Sequence, residues 1–330
     1  MYARSRKINH PIGKPFETPL LIPSFSSKGF GFSKSGESEL PQIFRAAEEF
    51  ITDSLLVSAY DLHHGHVTME TGVAEITIVD SGGYETTDQT DLSETFVSEV
   101  HAKDWNRDKL IQTLDAWPTH IPAVFVSYDA HDERRPLEEQ ISAARPTIAR
   151  YPHQLHALLI KPETRDQKHV QVDNIVRVAQ TLSPFNIIGL TEKELGSRMI
   201  DRMVNLWRIR RSMDEAGVTA PIHIFGCLDP ASICLYFVAG AEIFDGLTWL
   251  KYAFHEGNAI YRNSFAAKTI GLHRTDDFVK MKTMQDNLSY LSNMQVEMRT
   301  FLHTKDFDEL HWNGDLVRRA CVKLQERVER

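Results

Sequence analysis

Ile76-Thr-Ile-Val-Asp80-Ser-Gly-Gly83 decides the fold. An apolar, largely β-branched run ends on an aspartate, and a glycine pair follows it. Val124-Phe-Val-Ser-Tyr-Asp129 and Glu242-Ile-Phe-Asp245-Gly246 repeat the run that ends on an aspartate. A near-continuous apolar run is what a strand needs when both faces of a parallel sheet are covered. A carboxylate at its end sits where the strand leaves the core. In (β/α)8 barrels that end is the face on which active sites are built.

Working outward, strand-like and helix-like segments alternate. Strands are predicted at Leu20–Phe25, Ser54–Tyr60, Ile76–Asp80, Ala123–Asp129, Leu155–Lys161, Asn186–Leu190, Ile222–Cys227 and Glu242–Leu247. Helical periodicity lies between most of them, at Glu39–Ile51, Arg107–Trp117, Leu137–Arg150, Val170–Thr181, Ser197–Glu215 and Pro230–Val238. The crossover between the second and third strands, His63–Glu75, is short and irregular. Alternating β and α units imply a parallel sheet, and eight of them favour a closed barrel. An open flavodoxin-like sheet is the alternative. The dinucleotide fingerprint is missing, because Gly29-Phe-Gly31 has no third glycine and no helix opening after it. The expectation is an α/β protein, a single (β/α)8 TIM barrel over residues 1–330. Residues 1–19 form an N-terminal extension, and residues 276–330 form C-terminal closing helices.

Composition limits the function classes. The 330 residues are 42% hydrophobic and 25% charged, as in ordinary globular proteins. Three cysteines, none in a CxxC pair, do not make a disulfide framework and fit a reducing compartment. The basic start, Met1-Tyr-Ala-Arg-Ser-Arg-Lys7, is not followed by an apolar segment of a signal peptide. No stretch approaches the roughly 20 apolar residues of a membrane span. These features point to a cytoplasmic protein with no membrane partner. The net charge of −8 does not advertise nucleic-acid binding, but residues 251–282 carry a local excess of +3. Lys251, Arg262 and Lys268 lie in that stretch and are candidates to meet phosphate.

Each site motif has a plain structural reading beside the chemical one. Asp80-Ser81-Gly82-Gly83 can be a turn, and Asp129 and Asp245 can be caps. Tyr84 offers a flat face for a heterocycle. His63, His64 and His66 suggest a metal site, but the ends of strands five and six supply no histidine partners, so a solvated loop near the mouth is expected, where a histidine could meet phosphate. Cys227 and Cys234 read as small core residues. Trp207 and Trp249 read as packing, although Trp249 is close enough to Asp245 to line a pocket.

Together the motifs are more specific. Thr18-Pro-Leu-Leu-Ile-Pro23, Asp80-Ser-Gly-Gly-Tyr84, Tyr128-Asp129, Phe225-Gly226 and Ala241-Glu-Ile-Phe-Asp245 resemble the tRNA-guanine transglycosylase superfamily in order and spacing, from about residue 18 to about residue 255. Met284–Leu310 is similar to that family's closing helices. The resemblance implies a barrel that exchanges a base in a polynucleotide. Asp245 would be the nucleophile on the sugar C1′ and Asp80 the general acid/base. Asp129, Ser81, Tyr84, Lys161 and the backbone at Gly189 and Leu190 would bind the base. The substrates implied are DNA or tRNA and a free 7-deazaguanine.

The departures are informative. The family's zinc-binding Cys-x-Cys-x-x-Cys run is absent, and Cys227, Cys234 and Cys321 are too scattered to replace it, so no zinc or other cofactor is expected. Loss of that module leaves open whether the chain forms a homodimer or works with a partner protein. Lys161-Pro-Glu163 stands where the family has a glutamine pair, and Lys251 where it has threonine-arginine. Phe225-Gly-Cys-Leu-Asp-Pro230 with Phe244-Asp-Gly-Leu-Thr-Trp-Leu250 is more similar to the DNA-modifying members, which insert 7-deazaguanines. The alternatives are a tRNA enzyme of the same family, a non-catalytic nucleic-acid-binding subunit, and a metal-dependent barrel hydrolase.

Overall fold

A computed structural model describes residues 2–29, 38–51, 53–68, 74–87, 92, 102–129 and 133–329. Gly31, part of the 63–75 crossover and residues 130–132 after Asp129 lie outside the described residues.

Eight parallel strands close into a barrel. They are β1 (Leu20–Phe25), β2 (Ser54–Ser58), β3 (Ile76–Asp80), β4 (Ala123–Val126), β5 (Leu155–Ile160), β6 (Ile187–Thr191), β7 (Ile222–Phe225) and β8 (Ile243–Gly246). Each pairs with its sequence neighbour, and β8 pairs back onto β1 with Asp245 opposite Ile22. Helices cover the outside: α1 (Leu40–Glu48), α2 (Ala59–His63), α3 (Arg107–Asp115), α4 (Leu137–Arg150), α5 (Val172–Arg177), α6 (Met199–Glu215) and α7 (Pro230–Ala239). The chain is a (β/α)8 barrel.

Alternation along each strand builds two cores. Inward residues such as Ile22, Leu56, Ile78, Val124 and Ile243 fill the barrel. Outward residues such as Leu55, Phe125, Ile188 and Phe244 meet the helices. Local caps set several helix starts. Asn106 accepts from Lys109 N–H to open α3, and Asp229 accepts from Ser232 N–H to open α7, with Pro230 at the first helical position. Asp229 therefore has a local structural use.

The N-terminal extension forms the barrel floor. Lys7–Ile8 pairs antiparallel with Phe16–Glu17, and Ile8 joins the interior cluster. After β8 come the short helix α8 (Thr248–Lys251) and a hairpin of Ala253–His255 with Asn258–Ile260. The closing segment is one 29-residue helix, α9 (Asp276–Thr304), opened by Thr275 accepting from Phe278 N–H. A final helix, α10, spans Gly314–Val328.

Several predicted boundaries need correction. Tyr60 belongs to α2 rather than to strand two, because Ser58 accepts from its N–H and caps a helix there. Strand four ends at Val126, so Asp129 stands three residues beyond it. Strand six runs one residue further, to Thr191, and strand seven stops at Phe225.

Candidate active site

Asp80, Asp129 and Asp245 open into one cavity at the C-terminal mouth of the barrel. It has about 90 Å³ of free space. Leu56, Leu159 and Phe225 supply apolar walls, and Tyr84, Arg134 and Lys161 are among its other lining side chains.

Asp245 is 5% exposed and held by two donors. Ser24 Oγ donates to Oδ2 at 2.7 Å, and His223 Nε2 donates to Oδ1 at 2.9 Å. Three strands thus meet at one carboxylate. His223 is itself fixed by stacking on Phe225, with centroids 3.8 Å apart and planes at 28°. Gly189 makes room for that ring, since a Cβ there would lie 2.6 Å from Phe225 Cε2. A glycine on β6 thereby positions a carboxylate on β8.

Asp80 has the opposite surroundings. It is 8% exposed, Oδ2 accepts only a long 3.3 Å bond from Gly82 N–H, and buried Oδ1 has no hydrogen-bond partner. Burial, with Asp129 and Asp245 nearby, pushes its pKa up to about 7. The glycine pair after it is sterically required. Gly82 has φ +87°, and a Cβ there would lie 2.7 Å from Trp105 Nε1. Trp105 in turn donates to Ser81 O at 3.0 Å. A Cβ on Gly83 would meet Asp129 Oδ1 at 2.6 Å.

Asp129 accepts from Ser81 Oγ and faces Lys161 Nζ at 3.7 Å. Lys161 also contacts Glu194 at 3.0 Å and donates to Thr191 Oγ1 at 2.9 Å. Burial works against its charge, but Glu194 and Asp129 outweigh that and raise its pKa. An acceptor and a cationic donor therefore stand side by side. Tyr84 lines the cavity, and Lys28 Nζ sits 4.2 Å from its ring centroid.

Not every expected residue is in place. Gly189 and Leu190 do not line the cavity: Phe225 covers Gly189, and Leu190 points outward into the helix-facing core. Trp249 is fully buried and donates to Ser24 O at 3.1 Å, so it braces β1 rather than lining the pocket. The histidines are half-buried around Tyr60 and Trp105 rather than solvated. His66 bonds Asp61 at 3.0 Å, and burial lowers the His64 pKa to about 4. Among the described residues no group of three or more His, Cys, Asp or Glu could hold a metal ion. Also among them, no helix is long and apolar enough to cross a membrane.

In the basic stretch Lys268 is exposed, whereas Arg262 is half-buried and its pKa is lowered by that burial. Lys280 pairs with Glu39 at 3.0 Å and Lys282 pairs with Asp286, so part of the local positive excess is neutralised within the fold.

No protein-family model and no curated protein matches the chain.

Sequence reading missed Ser24, His223, Glu85, Glu194 and Arg134. His223 left one signal: it shares the inward face of its strand with Phe225, and a histidine inside a barrel needs a polar partner.

Proposed function

We propose that this protein is a base-exchanging transglycosylase. It replaces guanine in a polynucleotide, DNA in preference to tRNA, with a 7-deazaguanine through a glycosyl ester on Asp245. The observation that carries this reading is two carboxyl groups in one cavity with unlike surroundings. Asp245 is fixed by two donors, whereas Asp80 is nearly without them and keeps its proton to about pH 7. A substitution at an anomeric carbon needs such a division between nucleophile and acid.

In the first half-reaction an Asp245 oxygen forms a bond to C1′ while the C1′–N9 bond breaks. Asp80 gives its proton to the departing guanine. In the second, N9 of the entering base attacks C1′, the ester bond breaks, and the N9 proton returns to Asp80. Protons balance over the cycle. Asp129 accepts from the N–H edge of the base, and Lys161 donates to its carbonyl. Tyr84, which lines the cavity, packs against the ring. The target base must leave its stack to reach a barrel mouth.

The test is uptake of labelled guanine into duplex DNA or tRNA by the purified protein. Asp245→Asn should lower exchange by roughly 10⁴-fold or more. Exchange by that variant within about tenfold of the parent would remove Asp245 from the chemistry. Uptake into tRNA alone would select the tRNA reading, and uptake only with a second protein present would select the subunit reading. Neutralising Lys251, Arg262 or Lys268 should reduce the slope of log affinity against log salt by about one for each phosphate that the side chain had neutralised.

A further inference from the structure

A second cavity adjoins the mouth, and none of the steps above uses it. Asp129, Arg134, Leu159 and Lys161 line both cavities. The second has about 30 Å³ of free space. A water molecule needs about 10–15 Å³ of such space. The chamber therefore admits a group of two or three heavy atoms, but not another ring.

Its walls are rich in cations. Arg107, Arg134, Arg135 and Lys161 line it, against Asp129 and Glu133. Three of these cations are already engaged. Lys161 lies 3.0 Å from Glu194, and Arg135 lies 2.7 Å from Glu133. Arg107 packs on the Tyr128 ring and donates to Ala143 O at 3.3 Å. Arg134 differs. Its side chain is only 8% exposed, yet among the described residues it makes no hydrogen bond. Its ion pair with Glu194 is long, at 3.9 Å, and Lys161 stands closer to the same carboxylate. A buried charge is costly unless it is paired and hydrogen-bonded. A guanidinium in this state has donors to spare, and it presents them as a planar fork that fits a carboxylate.

The chemistry of the base says what arrives there. In a 7-deazaguanine the carbonyl at position 6 and the carbon at position 7 share one edge. The N1–H and the amino group lie on the far side of that carbonyl. With Asp129 on the N–H edge and Lys161 on the carbonyl, a substituent at position 7 continues past Lys161, along the wall that carries Arg134. We propose that the chamber receives this substituent, and that Arg134 selects a base that carries a carboxylate there. The inference rests on the transglycosylase reading and narrows its entering base. The guanidinium supplies two parallel donors to the carboxylate, whereas an ammonium in the same place meets a like charge.

The experiment is calorimetry of the full-length protein with four free bases: guanine, and 7-deazaguanine carrying a carboxylate, a nitrile or an aminomethyl group at position 7. The carboxylate base should bind roughly 10- to 100-fold more tightly than guanine. Arg134→Gln should remove that gain and leave guanine affinity within about threefold of the parent. Arg134→Lys keeps the charge without the fork and should retain only part of the gain, and it serves if Arg134→Gln does not fold. Tightest binding of the nitrile or aminomethyl base overturns the proposal, as does a carboxylate preference that both variants keep in full. Guanine binding and exchange with no gain from the carboxylate sink the subsite and leave the exchange reading standing. An Arg134-dependent gain in a protein that exchanges no base into DNA or tRNA upholds the subsite and overturns the exchange reading. Failure to bind any of the four overturns both.

Discussion

Asp80 is a cost to the fold as well as a candidate acid. In an unfolded chain an aspartate loses its proton near pH 4, whereas in the fold Asp80 keeps it to about pH 7. Between those values the unfolded chain binds fewer protons than the folded one, so rising pH weakens the fold. Above pH 7 the full cost is in place. Asp80→Asn should therefore stabilise the fold at about pH 8, by on the order of a few kcal/mol, and change its stability little at about pH 4. Thermal melts at the two pH values check this. An equal change at both would mean that ionisation of Asp80 does not load the fold. The three aspartates were legible because each follows a run of apolar residues. Their partners were not. Ser24 is 221 positions from Asp245, and the two meet only because β1 closes against β8. Nothing beside either residue in the chain announces that contact.

Turns and strands are the scale at which the glycines act. Asp80-Ser81-Gly82-Gly83 brings the backbone up against Trp105 on one side and Asp129 on the other, and neither side has room for a methyl group. Gly83→Ala would displace Asp129 Oδ1 and the chain that carries it. A shift near 1 Å at a positioning group costs on the order of 100-fold in rate. Gly83→Ala should lose about that much in kcat/KM and weaken guanine binding, measured by calorimetry. Unchanged guanine binding would take Asp129 out of base recognition. The positions of the strands and most helices were legible from periodicity and length alone. Strand ends were less so, because residues such as Tyr60 and Tyr128 remain apolar after the ladder hydrogen bonds stop. Burial continues past the strand, and composition tracks burial rather than hydrogen bonding. The same limit explains Gly189. A glycine in an apolar strand can mark either a ligand or a neighbouring ring, and here the ring of Phe225 takes the space.

Over the whole molecule, chemistry and stability occupy opposite ends of the barrel. At the floor, Arg4 and Arg6 of the N-terminal extension reach Asp214 of α6, at 2.8 and 3.4 Å. Arg6 and Arg210 flank Glu242, at 2.9 and 3.7 Å, just before β8 begins. Arg210 is fully buried and also donates to the Val218 and Ala220 carbonyls, both at 2.8 Å, tying α6 to the turn that feeds β7. Burial lowers its pKa to about 10, so it keeps its charge at neutral pH. Glu242 is buried enough that its pKa rises to about 7 despite Arg6 and Arg210. Removing one member of such a network leaves a buried charge and two carbonyls without partners. Arg210→Ala should cost about 3–5 kcal/mol in chemical denaturation. Arg210→Leu combined with Glu242→Leu should recover part of that loss, because the unpaired charge is gone and apolar volume replaces it. In both variants the fraction that remains folded should keep the parent's kcat, since the mouth of the barrel is untouched. A large fall in kcat at unchanged stability would instead mean that the floor and the mouth move together.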